Sequence, residues 1–308
     1  MLNFLLDIAP DKSQLLLTIK LAGILREKKQ EVYYTYTSNP AFTPVLYDKG
    51  ISNCVLYPDD FRWLKPDLTL LDCRHAAHAS LYRQLAIDYI FIAMQLPDQK
   101  NIQDKDISIL YLPPTPYLSS GSGPRLETLT KRLQDIKKDK ERNIIVGLLG
   151  KGNKNSTILE DFYRVIKRSS IRNPRYQFIL LTDIPNVYQS SELPDNMELF
   201  RTLNLNTILP LCDLALTDSH SDAWLDCTFA QIPVLKYSPK DMINITPMKL
   251  EQQIEYALQN KTTLTQKAKE LCDFFERKNR EINKIADMLI ERAGRNRYNS
   301  CRLRPHTY

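Results

Sequence analysis

Short apolar runs alternate with helical stretches along most of this chain, and that alternation narrows the fold more than any other feature. Residues 2–9 are mostly apolar, stop before Pro10 and read as a buried strand. From Asp11 to Lys29 apolar residues recur at helical spacing, at Leu15, Leu16, Ile19, Leu21, Ala22 and Leu25, and Lys28 and Lys29 suit the helix end. Residues 32–37 are rich in β-branched and aromatic types, so a strand follows. Residues 54–57, 68–71 and 89–93 are further short strands, and 75–86 is a helix. Parallel neighbours need a crossover, so strands separated by helices imply βαβ units.

The pattern breaks and then restarts. Residues 112–124 hold four prolines and two of the eight glycines, which is linker chemistry. A charged helical stretch covers 126–140. Residues 143–149 form a buried strand, and 156–167 an amphipathic helix with Ile158, Leu159, Phe162, Val165 and Ile166 on one face. Strands at 177–181, 197–200, 214–217 and 234–236 then alternate with helices at 206–211 and 221–230, and helices fill 249–291. The expected architecture is α/β, with two doubly wound Rossmann-like domains facing a cleft. They span 1–122 and 123–291, and a basic tail, 292–308, follows. Open parallel sheets bind ligands at the carboxyl ends of their strands. The loops to inspect are therefore 7–14, 72–78, 149–156, 182–187 and 217–222.

Composition removes several classes. Eight glycines in 308 residues is under 3%, against a usual value of about 7%. Neither G-x-G-x-x-G nor the Walker A pattern occurs, so the common glycine-built phosphate cradles are missing. The net charge is +6, but five arginines and no acids lie between Arg292 and Tyr308, leaving about +1 for the rest. A nearly neutral body argues against a nucleic-acid-binding face. The tail is either solvated or a contact for anionic lipid or RNA. Six scattered cysteines without C-x-x-C indicate neither a metal cluster nor a disulfide framework, and all but Cys301 read as small buried hydrophobes. The first residues lack a basic signal-peptide region, and no run of 18 apolar residues occurs. The expected location is the cytoplasm, with contact at the inner membrane face open through the tail.

The segment 212–234, CDLALTDSHSDAWLDCTFAQIPV, resembles the donor-binding signature of GT-B glycosyltransferases, the nucleotide-sugar-dependent and MurG-like enzymes. There a strand leads into H-G-G-x-x-S-x-x-E, then four residues, then G-V-P. Counting back from Pro233 puts Asp226 on the family glutamate, Ala223 on the serine, Asp218, Ser219 and His220 on H-G-G, and Gln231 on the last glycine. At the other end, LAGIL at 21–25, QEV at 30–32 and PDLTLLD at 66–72 are similar to the family's N-terminal pattern, and 143–150 to its strand ending in glycine.

The resemblance implies an inverting transfer of a sugar, with no metal or other cofactor, from a nucleotide sugar, UDP-linked in the closest pattern, to an acceptor hydroxyl. The acceptor is a glycan, a lipid or a small molecule, the sugar is of hexosyl or N-acetylhexosaminyl type, and nucleic acid is not a partner. Asp226 would hold the ribose hydroxyls, and the final helix, about 262–291, would cross back to the first domain. The family histidine that takes the acceptor proton falls on Gln14, which cannot act as a base. Its orienting acid falls on Asp72. His75 and His78 follow closely, so a relocated Asp72–His75 pair is one reading, and two histidines merely lining a helix start is the other. Asp7 and Asp11 flank the first loop as further substitutes for the base. His75-x-x-His78 is also half a metal motif, with no neighbouring histidine or cysteine to complete it. For the pyrophosphate, the candidates are Gly150, Lys151, Gly152 and Lys154 after a strand, with Ser219, His220 and Ser221 at a helix start. Two rivals stay open: a degraded GT-B protein acting as a binding subunit, and a sugar-nucleotide epimerase of similar fold.

Overall fold

The computed structural model describes residues 1–8, 12–35, 52–54, 64–94, 109–114, 124–139, 141–149, 156–182, 193–219 and 222–302. The chain forms two compact units, Met1–Thr115 with Phe274–Tyr308, and Pro116–Asp273. The first division lies near the expected residue 122. Everything from Phe274 onward, including much of the stretch expected to cross back, belongs to the first unit.

The first unit is built on a six-stranded parallel sheet of β1 (Asn3–Asp7), β2 (Glu31–Thr35), β3 (Ser52–Cys54), β4 (Leu68–Asp72), β5 (Tyr89–Met94) and β6 (Ile109–Leu112). The order is β3-β2-β1-β4-β5-β6. β6 went unread in the sequence because its four residues run straight into prolines. Side chains on a strand alternate between faces. Phe4, Leu6, Leu68 and Leu70 accordingly join one core, with the helices Lys12–Glu27 and Ile282–Arg302. Leu5 and Leu71 join the opposite one, with Ala79 and Tyr82 from the helix Ala79–Gln84.

The last helix corrects the expectation of a basic tail beginning at 292, since it runs through to Arg302. Ile282, Ala286, Leu289 and Ala293 are fully buried in the first core, at helical spacing. Arg292 donates to both Asp88 oxygens at 2.8 and 2.9 Å, Asn296 donates to the same carboxylate at 2.7 Å, and Arg297 donates to the Met1 carbonyl at 2.6 Å. Burial pushes the Asp88 carboxyl up, but the Arg292 and Asn296 hydrogen bonds and the Arg292 charge outweigh it and hold the group below its ordinary value. A depressed folded-state value stabilises the fold above the ordinary carboxylate range, and that contribution is lost as pH falls through the folded value. Arg292→Ala is expected to cost about 1 kcal/mol at pH 7. Urea midpoints measured against pH should show the gap between variant and wild type closing below about pH 4. A gap independent of pH would mean that the loss comes from packing alone.

The second unit repeats the scheme with β7 (Asn143–Leu149), β8 (Tyr176–Thr182), β9 (Met197–Phe200), β10 (Leu214–Asp218) and β11 (Val234–Tyr237), all parallel, in the order β11-β10-β7-β8-β9. Ile145, Leu149, Leu214 and Leu216 face the helices Ser156–Arg172 and Pro247–Gln259, and Ile144, Val146 and Leu148 face the helix Pro124–Lys138. Gly147 is the strand position with no room for a side chain, since a Cβ there would lie 2.3 Å from Leu180 Cδ2. No helix among the described residues is long and apolar enough to cross a membrane.

Candidate active site

In doubly wound sheets the ligand crevice opens where the strand order reverses, beyond the carboxyl ends of the two central strands. For the first sheet those strands are β1 and β4. Asp7 ends β1 and Asp72 ends β4.

The two acids face opposite ways. Asp7 sits beside Leu71 in the parallel register, and both lie on the face where Ala79 and Tyr82 pack. Asp72 is one residue further along β4 and so takes the other face. Its carboxylate caps the turn that follows, accepting from the Arg74 amide at 2.9 Å and from the Arg74 guanidinium at 3.1 and 3.2 Å.

That turn, Cys73–His78, is two short 3-10 pieces kinked at His75, whose φ −97° and ψ 24° are non-helical, and the helix Ala79–Gln84 follows. The sequence reads this stretch as one α-helix, and the difference matters. The kink leaves His75 and His78 side by side, with ring centroids 4.9 Å apart. Both meet Asp7: His75 Nδ1 lies 2.9 Å from Oδ1, and His78 Nδ1 lies 2.7 Å from Oδ2. The expected Asp72–His75 pair is thus corrected to Asp7–His75, because strand parity turns Asp72 away.

Two further donors complete the carboxylate. The Thr35 hydroxyl, at the end of β2, donates to Oδ1 at 2.8 Å, and the buried Tyr82 hydroxyl donates to Oδ2 at 2.7 Å. Burial raises the Asp7 carboxyl, which is 2% exposed, but the hydrogen bonds from His75, Tyr82, His78 and Thr35 outweigh it and hold the group below its usual range. Burial and the adjacent Asp7 charge push the Tyr82 phenol well above its ordinary value, so it stays a donor. An ionised carboxylate only accepts. Each neutral imidazole therefore turns Nδ1–H to Asp7 and keeps a lone pair on Nε2. The side chain of His75 is 25% exposed and that of His78 is 51% exposed. Such an arrangement can orient an imidazole to accept a proton at Nε2.

Tyr82 and Thr35 escaped the sequence reading. The one signal for Tyr82 was its place four residues after His78, one helical turn on. Gln14, aligned with the missing histidine, is buried on the helix Lys12–Glu27. Cys73, expected inside, is exposed.

In the second sheet the order reverses between β7 and β10. The loops leaving those strands carry the candidate phosphate residues. Gly150, Lys151, Gly152, Lys154, His220 and Ser221 lie outside the described residues. Ser219 is exposed, and its amide donates to the Tyr237 carbonyl at 2.8 Å. Asp226 is 8% exposed, on the first turn of the helix Ala223–Phe229. Trp224 on that helix carries Lys236 Nζ 3.8 Å above its ring, which places a cation beside the same strand ends. Gln231, aligned with a glycine, has φ 58°, and the Ile232 amide donates back to the Cys227 carbonyl at 2.9 Å, closing the helix by a left-handed cap.

No protein-family model matches the sequence, and no curated protein does. Solved structures do. The chain is similar to the spinosyn rhamnosyltransferase SpnG, with 12% identity and TM-score 0.67 over 93% of this chain and 100% of that one. It is similar to the spinosyn forosaminyltransferase SpnP, with 14% identity and TM-score 0.65 over 95% and 99%. The glycosyltransferase SnogD from Streptomyces nogalater matches with 14% identity and TM-score 0.63 over 95% and 99%. At such identities the likeness is one of fold, and the fold is GT-B.

Proposed function

We propose that this GT-B chain is a nucleotide-sugar-dependent glycosyltransferase whose general base is His75, oriented by Asp7. The observation that carries the reading is the Asp7–His75 contact at the switch point of the first sheet. In the resembled family the histidine follows the first strand and the acid ends the fourth. Here the acid stands on the first strand and the histidine follows the fourth, so the same pair of groups is kept with their supports exchanged. His75 Nε2 takes the proton of an acceptor hydroxyl as its oxygen attacks the anomeric carbon and the nucleoside diphosphate leaves from the opposite side. The imidazolium formed is stabilised by the Asp7 charge beneath it. The step needs no metal.

The second unit holds the donor in this reading. Asp226 accepts from the ribose hydroxyls. Gly150–Lys154 and Ser219–Ser221 hold the pyrophosphate through backbone amides, with Lys151 and Lys154 as point charges. SpnG and VinC have been solved with thymidine diphosphate, and SpnG with spinosyn aglycone, which supports testing thymidine as well as uridine diphosphate. The transferred group is of hexosyl or N-acetylhexosaminyl type.

Calorimetric titration with UDP and dTDP tests the reading. One of them binds, and Asp226→Ala weakens it by about 100-fold, the worth of one or two hydrogen bonds to a charged acceptor. Absence of binding by any nucleoside diphosphate would overturn it in favour of a second reading, a non-catalytic binding subunit. The bulky Asp218-Ser219-His220 in place of the donor-loop glycines favours that alternative.

A further inference from the structure

We infer that Asp7, His75 and His78 form a binding site for a divalent transition ion of the zinc class. One nitrogen of each imidazole and an Asp7 oxygen all lie within 4.8 Å of one another, and Nδ1 of His75 and of His78 lie 2.9 and 2.7 Å from the Asp7 carboxylate. Two imidazoles and a carboxylate are the donor set that zinc accepts and that magnesium and calcium do not prefer. The sequence shows only half of this motif, because Asp7 is 68 residues from His75 and the β1–β4 pairing brings it in.

The cluster has what distinguishes a metal site from a chance meeting of polar groups. The carboxylate is already fixed from behind by Thr35 and Tyr82, the outer layer that orients ligands in metal centres. The Asp7 charge is buried, whereas the two rings reach solvent, so an ion has a path in. Ligand atoms on one tetrahedral zinc lie about 3.4 Å apart, given bond lengths of about 2.1 Å. The most widely separated pair here needs to close by little more than an ångström, within reach of side-chain rotation. Three protein ligands leave a fourth position for water.

Loading the site rearranges protons without releasing any. Each neutral ring gives up its Nδ1 proton to make room for the metal and takes one on Nε2 through solvent. The Nε2 lone pair is thereby lost. A ring locked in that state donates instead of accepting, so the ion would silence His75 as a base. The binding claim itself stands apart from the transferase reading, since it is measured with Zn²⁺ alone.

The experiment is titration of the full chain with Zn²⁺ against a chromogenic chelator, together with ¹⁵N imidazole spectra. One ion binds per chain. His78→Ala, at a half-exposed position where the fold tolerates truncation, weakens it at least about tenfold, and so does His75→Ala. Cys73→Ser, which removes the exposed thiol beside His75, leaves the affinity unchanged. The ring signals pass from Nδ1–H to Nε2–H on loading. The site is refuted if no stoichiometric binding occurs, if both histidine variants bind as wild type, or if the affinity vanishes with Cys73. A chain that binds zinc yet binds no nucleotide would retire the transferase reading and keep this one.

Discussion

Asp7→Asn is expected to lower kcat by about 100- to 1,000-fold while leaving the affinity for the nucleoside diphosphate intact, within the usual worth of a positioned general base. Asp7 takes two donors on each oxygen: His75 and Thr35 on Oδ1, His78 and Tyr82 on Oδ2. An amide keeps one acceptor oxygen and turns two N–H donors toward the other pair. Tyr82 can rotate its hydroxyl to accept, but an imidazole facing an N–H must present a lone pair and carry its proton on Nε2. Whichever way the amide settles, one ring is driven into the wrong tautomer, and the imidazolium loses its counter-charge. His75→Ala removes the base outright and should lower kcat by about 100- to 10,000-fold, again with nucleotide binding kept. Steady-state kinetics beside calorimetry separates these effects. Full turnover in His75→Ala would refute the assignment of the base, and a smaller fall in His78→Ala than in His75→Ala would confirm which of the two rings acts.

The second large effect concerns stability. Among the described residues three helices close through left-handed caps formed without glycine. Lys29 has φ 61°, Ala86 φ 53° and Gln231 φ 58°, and the residue after each donates to a carbonyl five back, Gln30 to Leu25, Ile87 to Tyr82 and Ile232 to Cys227. A side chain in that conformation costs roughly 1 kcal/mol. Meanwhile Gly23 and Gly294 lie inside the helices Lys12–Glu27 and Ile282–Arg302, where a Cβ would meet nothing within 4 Å. Glycine within a helix costs about 0.5–1 kcal/mol relative to alanine. The glycines are in effect misplaced. Combining Ala86→Gly, Gln231→Gly, Gly23→Ala and Gly294→Ala should stabilise the chain by about 3 kcal/mol, the sum of the four effects. Urea unfolding of the four single variants and their combination tests it. Destabilisation by either helix substitution would show that the open space in the structure is filled.

Much of the fold was legible because parallel strands buried on both faces leave continuous apolar runs, as at 143–149, and the helices between them keep a clean period. β6 was lost where a four-residue strand runs into Pro113 and Pro114. The site was half legible. His75, His78 and Asp7 were each visible as single residues, but pairing depends on which face a strand-end side chain takes, and a one-residue difference between Leu71 and Asp72 reverses that. The meeting of the two histidines depends on a kink at His75 between two short 3-10 pieces, for which the residues 73–78 carry no distinctive signature. Tyr82 looked like any aromatic on a buried helix. The end of the last helix was not legible, because the arginines from Arg292 onward read as a basic tail, whereas the apolar face of Ile282, Ala286 and Leu289 continues through Ala293.

That last helix has a consequence for how the protein is born. The unit formed by Pro116–Asp273 is continuous in the chain and can close as soon as its own residues have been made. The unit that begins at Met1 cannot. Its core includes Ile282, Ala286, Leu289 and Ala293, so Phe4, Leu6 and their neighbours wait while the rest is translated. From residue 115 to residue 293 that wait is on the order of 10–40 s at common synthesis rates. The unit that holds the candidate base is finished after the unit that follows it along the chain, and its sheet spends that interval with one face covered by the helix Lys12–Glu27 alone.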